Sequence, residues 1–152
     1  MKLTIELVPK TCFYKNVRQI VSATQWNKIR KQIYIKYNYK CSICYEVGDK
    51  HPVEAHEVWE YNDKKSIQIL KDIVALCPSC HMSVHYGLAQ LHGFGTKARN
   101  HLSKINSITK KEADVYIENC FKIWQKRSQK HWQLDITYLE NYGIDISSIK
   151  PK

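Results

Sequence analysis

Two C-x-x-C pairs constrain this chain more than any other feature: "CSIC" places Cys41 and Cys44 two residues apart, and "CPSC" does the same for Cys77 and Cys80. Two intervening residues let a tight turn present both thiolates to one ion. Two such knuckles complete the tetrahedral sulfur set that zinc prefers in closed structural sites. Redox or unrelated free thiols are the alternative reading of the same pairs. A zinc ribbon separates its knuckles by ~15–20 residues, whereas 32 residues lie between Cys44 and Cys77. Something beyond a ribbon is therefore inserted between the ligands. Cys12 and Cys120 have no partner at ligand spacing and read as small buried apolar residues.

The chain has 152 residues, 43% of them apolar. A single domain of that size buries roughly two-thirds of its unfolded surface, so a core forms without disulfides. The amino terminus "MKLTIELVPK" shows no apolar leader with a small-residue cleavage site, and no run approaches the ~18 apolar residues of a membrane span. These features predict a cytoplasmic protein with no membrane partner, where six cysteines are better used on metal than on disulfides. Lys and Arg number 24 against 14 Asp and Glu, a formal net charge of +10, which suits a polyanionic partner as well as a merely solvated basic surface.

Along the chain, "LTIELV" (3–8) alternates apolar and polar residues and reads as a strand ending at Pro9. The connector "KTCFYKNVRQIVS" has no clear period. From Ser22, with Ser22 or Thr24 as N-cap, Trp26, Ile29, Ile33 and Tyr37 recur at helical spacing, and the other face carries Lys28, Arg30, Lys31 and Lys36. "GLAQLHGFGTKARNHLSKINS" holds three of the five glycines and reads as a loop-rich segment. "TKKE" at 109–112 resembles a capping box that opens a helix within 109–131, with Val115, Cys120 or Phe121, and Trp124 facing inward. "WQLDITYL" (132–139) alternates again and is a candidate strand to pair with the first. Taken together, the chain 1–152 is expected to be one small α+β domain.

The inserted stretch adds a second set of donors. In a helix beginning at the second knuckle, His81 and His85 lie four positions apart on one face and can share an ion, although such a pair is also common on ordinary helix surfaces. In "HPVEAHEVWEY", Glu54 and His56 point to one side of an extended strand and Glu57 to the other, a separation that a bulge relaxes. The succession "CSIC", "VEAHEV", "DIVALCPSCH" and the following His resembles the zinc-knuckle branch of the HNH (ββα-metal) nucleases, over about residues 38–86. The longer pattern "VEAHEVWEYND" with "LCPSCHMSVHYG" is also similar to small bacterial and phage HNH-like proteins. The resemblance implies a β-hairpin and helix holding one catalytic metal. A four-cysteine zinc clamp would close the hairpin ends, flanked by an N-terminal strand and helix and a C-terminal helix and strand.

By position the resemblance makes His56, His81 and His85 ligands of a second divalent ion (Mg, Mn, Ni or Zn). It places Glu57 where the family has its general-base histidine and Asp72 where it has the asparagine that orients that base. A carboxylate is an ordinary base only near pH 4.3, yet Glu serves as base beside metal-bound water in H-E-x-x-H proteases. An alternative makes His56 the base and Glu54 or Glu57 a ligand. The implied activity is metal-dependent hydrolysis of phosphodiester bonds in DNA, with Lys28, Arg30, Lys31, Lys126 and Arg127 gripping the backbone. Trp59 and Tyr61 are candidates for base stacking, though strand aromatics more often face a core. The two departures, Glu57 and Asp72, leave a second reading: a non-catalytic zinc module that binds nucleic acid or a protein partner.

Overall fold

The computed structural model describes residues 1–12, 16–48 and 52–149; residues 13–15 of the connector and His51 of the inserted stretch lie outside the described residues. The elements follow in the order α1 (Val17–Ile20), α2 (Ala23–Lys36), β1 (Glu54–Asn62), β2 (Ile67–Leu76), α3 (Pro78–Val84), α4 (Tyr86–Leu91), α5 (Gly95–Asn106), α6 (Lys110–Arg127) and β3 (Gln133–Asp135), with short 3-10 turns before α1 and after β3. This is the expected α+β class.

At the centre, β1 and β2 form an antiparallel hairpin that runs from Glu54 opposite Leu76 to Asn62 opposite Ile67, with one bulge between Val58 and Trp59. Alternation along the hairpin gives it two buried faces and hence two apolar clusters. Leu70, Ile73 and Ala75 pack with Ile29 and Ile33 of α2 and with Ile136, Leu139 and Ile144 from the C-terminal segment. Leu76, Cys77, Cys80 and Val84 pack instead with Leu3 and Ile5, with Ala98 and Leu102 of α5, and with Ala113 and Ile117 of α6. The helix expected after Ser22 is present as α2. It is closed by a capping box between Ser22 and Gln25 and buries the anticipated Ile29–Ile33 stripe.

Several elements depart from the sequence reading. Residues 3–8 are extended but join no ladder, because side chains satisfy their backbone in place of a neighbouring strand. Asn106 Oδ1 accepts from the Lys2 and Leu3 amides at 2.8 and 3.0 Å, Tyr116 Oη accepts from the Ile5 amide at 3.0 Å, and the Trp124 indole donates to the Val8 carbonyl at 2.8 Å. One main-chain bond, Glu6 amide to Val84 carbonyl at 2.9 Å, ties the segment to the end of α3. The C-terminal strand β3 consequently pairs with β2, in parallel, with Gln133–Asp135 beside Ile67–Ile69.

The glycine-rich stretch after His85 is helical, not a loop. Gly93, at φ +80°, supplies the left-handed turn between α4 and α5, and α5 inserts Ala98 and Leu102, both fully buried, into the core. Ser83 Oγ donates to the Ser79 and Ala98 carbonyls at 3.0 and 3.1 Å, pinning α5 onto α3. Helix α6 begins with the expected capping box between Thr109 and Glu112. Its inward residues are Ala113 and Ile117, while Val115 is 53% exposed. Phe121 and Cys120 pack partly buried against the core.

Truncation of Leu102 to Ala is expected to cost about 2–5 kcal/mol. In a chain of this size that lowers the thermal midpoint by roughly 4–20 °C. A midpoint within a degree of wild type would show that α5 does not dock as described.

Candidate metal centres

The first cysteine knuckle follows α2 directly. The Cys41 amide donates to the Glu46 carbonyl at 3.0 Å, the Tyr45 amide to the Cys41 carbonyl at 3.0 Å, and the Ser42 amide to the Ala75 carbonyl at 2.8 Å. The last bond fastens the knuckle to β2. The second knuckle is the start of α3: Cys77 is its N-cap, Pro78 occupies the first turn, where a missing N–H costs nothing, and Cys80 follows on that turn. Thiolates at a helix N-terminus also gain from its partial positive charge.

The structure brings all four thiols together, each with its sulfur within 4.8 Å of the others, and the Cys44 and Cys77 sulfurs lie 3.6 Å apart. A tetrahedron of ~2.3 Å zinc–sulfur bonds requires sulfur separations of about 3.8 Å, so the spacing fits a single tetrahedral ion. The protons are shared unequally within the cluster. Cys41 is held down to about 4, chiefly by its hydrogen bond with Cys80. Burial pushes Cys44 up to about 11, and the same bond to Cys41 pushes Cys80 up. Four thiolates cannot accumulate here without a cation; a bound ion displaces the protons.

One neighbour of this cluster has no counterpart in the sequence reading. His101 of α5 places Nε2 3.2 Å from Cys80 Sγ. It lies 21 positions from Cys80, on a segment read as loop, and only the docking of α5 on α3 brings the two together.

The histidines form a second and separate cluster that could hold an ion. His56 projects from β1 and is buried at 5% exposure; His81 lies on the second turn of α3; His85 ends that helix as its C-cap, at φ −85° and ψ 47°. Ring centroids lie 5.2 Å apart for His56 and His81, 4.8 Å for His56 and His85, and 4.7 Å for His81 and His85. One nitrogen from each ring falls within 4.8 Å of the other two. Burial pushes His85 down to about 3, with His56 and His81 adding to the effect. Burial also lowers His81, against an opposing pull from Glu54. Neutral imidazoles are the form that binds metal.

Two carboxylates orient these rings. Glu54 Oε2 lies 2.6 Å from His81 Nδ1, and Glu6 Oε2 lies 3.2 Å from His56 Nε2. Carboxylate partners of this kind fix which ring nitrogen stays free for an ion. Glu54 stands on the His56 side of β1, as alternation predicts. Glu6 comes from the N-terminal extended segment, which sequence alone places nowhere near the hairpin.

Glu57 and Asp72 are turned elsewhere. The bulge comes after Glu57, so the alternation between His56 and Glu57 is not relaxed. The Glu57 carboxylate accepts from the Arg18 amide at 3.3 Å and from the Trp59 indole at 3.1 Å, at the first turn of α1. Burial pushes its pKa up despite those donors. Asp72 accepts from the Ile73 amide at 2.8 Å and from the Tyr138 hydroxyl, with Lys36 Nζ 3.9 Å away. Neither belongs to the histidine cluster.

Comparison with known proteins adds one relation. No protein-family model matches the chain, and no solved structure matches it. Over 60 residues it is 35% identical to Anaredoxin of Nostoc sp. (strain PCC 7120 / SAG 25.82 / UTEX 2576), a stretch covering 40% of this chain and 75% of that protein. The chain belongs to the anaredoxin family. The relation spans less than half of its length, so most of this anaredoxin relative has no counterpart in the matched stretch.

The basic residues of this family member are dispersed. Lys28 and Lys31 are exposed on α2, where Arg30 donates to Asn27 Oδ1 at 2.8 Å. Helix α2 packs on the hairpin face that carries Ile73 and Ala75, away from the three histidines. Lys126 is exposed on α6. Arg127 is engaged: its guanidinium holds Asp63 at 2.7 and 3.0 Å and lies 4.9 Å from the centre of the Tyr61 ring. Tyr61 in turn meets the Trp132 ring edge-on at 5.2 Å, so it packs within the protein.

The Arg127 hydrogen bond lowers the Asp63 pKa. A depressed carboxylate contributes stability above its unfolded value, near 3.9, and loses it as pH falls through the folded value. Arg127→Ala should therefore cost about 0.2–1 kcal/mol at neutral pH, and this ionic part should vanish in acid. Equal differences in thermal midpoint at pH 7 and pH 3 would contradict the pairing. Among the described residues, no helix is long and apolar enough to cross a membrane.

Proposed function

We propose that this protein is a cytoplasmic, metal-dependent phosphodiesterase of HNH type acting on DNA, with zinc in the cysteine cluster and a second divalent ion between His56, His81 and His85. The observation that carries the reading is the convergence of three imidazoles, buried His56 from the hairpin and half-buried His81 and His85 from the following helix, beside but separate from the sulfur clamp. The donor set fits a borderline ion such as Zn or Ni better than Mg or Mn, which prefer oxygen. Such an ion, when bound, polarises a phosphoryl oxygen and acidifies water.

The chain's own residues supply the remaining roles. Glu54 and Glu6 hold the His81 and His56 rings through their hydrogen bonds. Glu6 also lines the open cavity that His85 borders, and its second carboxylate oxygen could take a proton from an attacking water. We assign that role to Glu6 rather than Glu57, whose oxygens are engaged by the α1 amides and Trp59. Lys126 and the exposed α2 cations contribute long-range attraction for the polyanion.

A second reading is favoured by the engagement of Glu57 and Asp72 away from the cluster: a zinc module that binds nucleic acid without cutting it. Cleavage of supercoiled plasmid and of single-stranded DNA, with Mg, Mn, Ni or Zn, separates the two. The nuclease reading expects nicking by wild type, a fall of about 10²–10⁴-fold in Glu6→Gln, and a change of no more than a few-fold in Glu57→Gln. DNA retention without cleavage in any metal would establish the binding module in its place. The sulfur set itself accepts zinc or iron, and the visible charge-transfer bands of a ferric tetrathiolate would assign iron to that site.

A further inference from the structure

His101 stands on the inward face of α5, one turn after Ala98 and next to Leu102, both fully buried. The contacts that dock this helix therefore also fix where its imidazole points. Its Nε2 lies 3.2 Å from Cys80 Sγ. The docking is itself fastened at Ser83, whose hydroxyl donates to the Ala98 carbonyl at 3.1 Å. His101 stays outside the set of donors that could share one ion, which consists of Cys41, Cys44, Cys77 and Cys80. The imidazole thus acts on a ligand, and not on the ion.

Cys80 is 0% exposed, so water does not solvate its sulfur, and a buried charge without a donor is costly. Main-chain amides of Ile43, Cys44 and Cys77 meet the Cys41 sulfur, and that of Glu46 meets Cys44. With its protons in place the cluster uses Cys80 as a donor, to the Cys41 sulfur. Loading reverses that role. An ion displaces the cluster's protons, so the bond between Cys41 and Cys80 is lost while the imidazole keeps its N–H. A thiolate only accepts, so Nε2 carries the proton in the loaded centre and the hydrogen bond is charge-assisted.

Resting on the reading that the four cysteines hold zinc, we propose that His101 is a positioning residue of the sulfur centre, donating from Nε2 to the Cys80 thiolate so that the ion is held more tightly. Side chains that hydrogen-bond the ligands of a metal are worth about 10–100-fold in its affinity. The bond also draws charge from one sulfur of a centre whose thiolate charge exceeds that of a divalent ion. It joins metal binding to the docking of α5: whatever lifts Ala98 and Leu102 from the core withdraws the donor from Cys80.

The test uses the full chain loaded with zinc or with cobalt(II), whose thiolate-to-metal absorption reports on the sulfurs directly. Two variants accompany wild type. His101→Leu removes the donor, and His101→Gln restores an N–H at a similar reach, because the Gln amide nitrogen sits about where the imidazole Nε2 does. Competition with a chromogenic chelator at constant pH gives the zinc affinity, and the thermal midpoint of each loaded protein reports on folding. The cobalt bands separate a lost hydrogen bond from loosened packing. Removing an N–H donor raises the sulfur lone pairs in energy and moves the bands to longer wavelength, whereas a change in packing alone leaves them in place.

His101→Leu is expected to bind zinc about 10–100-fold more weakly than wild type, with its cobalt bands at longer wavelength, and His101→Gln should recover most of both. Unchanged affinity and bands in His101→Leu would overturn the proposal. So would a His101→Gln protein as defective as His101→Leu, since the imidazole would then act through its bulk. Should His101→Leu fail to fold, His101→Gln decides against wild type: bands at the wild-type position support the hydrogen bond, and displaced bands contradict it. A wild type that takes up cobalt without thiolate bands, or takes up none, refutes the zinc reading and the proposal with it. Thiolate-bound cobalt in wild type with equal affinity in all three proteins refutes the His101 assignment alone.

Discussion

Cys41→Ser is expected to lower the thermal midpoint by roughly 6–20 °C, and Cys12→Ser by far less. Structural zinc in small domains supplies about 10–16 kcal/mol of apparent binding free energy that is also folding free energy. This chain has two apolar clusters of its own, so it should not depend on the ion as a zinc finger does. Losing one of four ligands should cost about 3–5 kcal/mol, at ~2–4 °C per kcal/mol for a chain of this length. The loss is local in origin. Cys41 is buried at 1%, and its knuckle ties the end of α2 to β2 through the Ser42–Ala75 bond, so releasing the sulfur frees residues 38–47 from the hairpin. A strong chelator should reproduce the shift in wild type and add little to the variant. A Cys41→Ser midpoint equal to that of Cys12→Ser would remove the cluster from any structural role.

His85→Ala is expected to have the opposite profile: a small change in midpoint and a collapse of ion binding at the second centre, with plasmid nicking reduced at least about 10²–10³-fold, the scale of removing preorganised charge stabilisation. Three features make His85 the informative member of the trio. Its ring lies within 5 Å of both partners. Burial keeps it neutral, so no ion pair is lost on its removal. It also occupies the junction of α3 and α4, where helical hydrogen bonding is already interrupted. Retained second-ion binding in His85→Ala would show that the three imidazoles are a packing cluster.

The two donor clusters were legible in the sequence because each rests on short spacings. C-x-x-C fixes a turn, and an i, i+4 histidine pair fixes a helix face, whatever the remainder of the chain does. His56 also followed from strand alternation, which put Glu54 on its side and Glu57 on the other.

Groups that act at a distance in sequence were not legible. Glu6 reaches His56 because side chains of Asn106, Tyr116 and Trp124 hold the N-terminal segment against the domain, and no local pattern encodes that path. His101 reaches Cys80 because Ala98 and Leu102 dock α5. Three glycines concealed that helix, since Gly93 marks a turn between helices and not a loop. Arg127 illustrates the converse limit. A cluster of cations at a helix end looks free for phosphate until the fold brings Asp63 to it.

The claim of two independent metal centres, one of sulfur and one of imidazole, is tested most directly by metal content per chain after reconstitution and desalting. Two ions are expected in wild type. One is expected in a His81→Ala, His85→Ala double variant whose thermal midpoint stays within a few degrees of wild type. A single ion in both proteins would contradict the account and leave the cysteine clamp as the sole metal site.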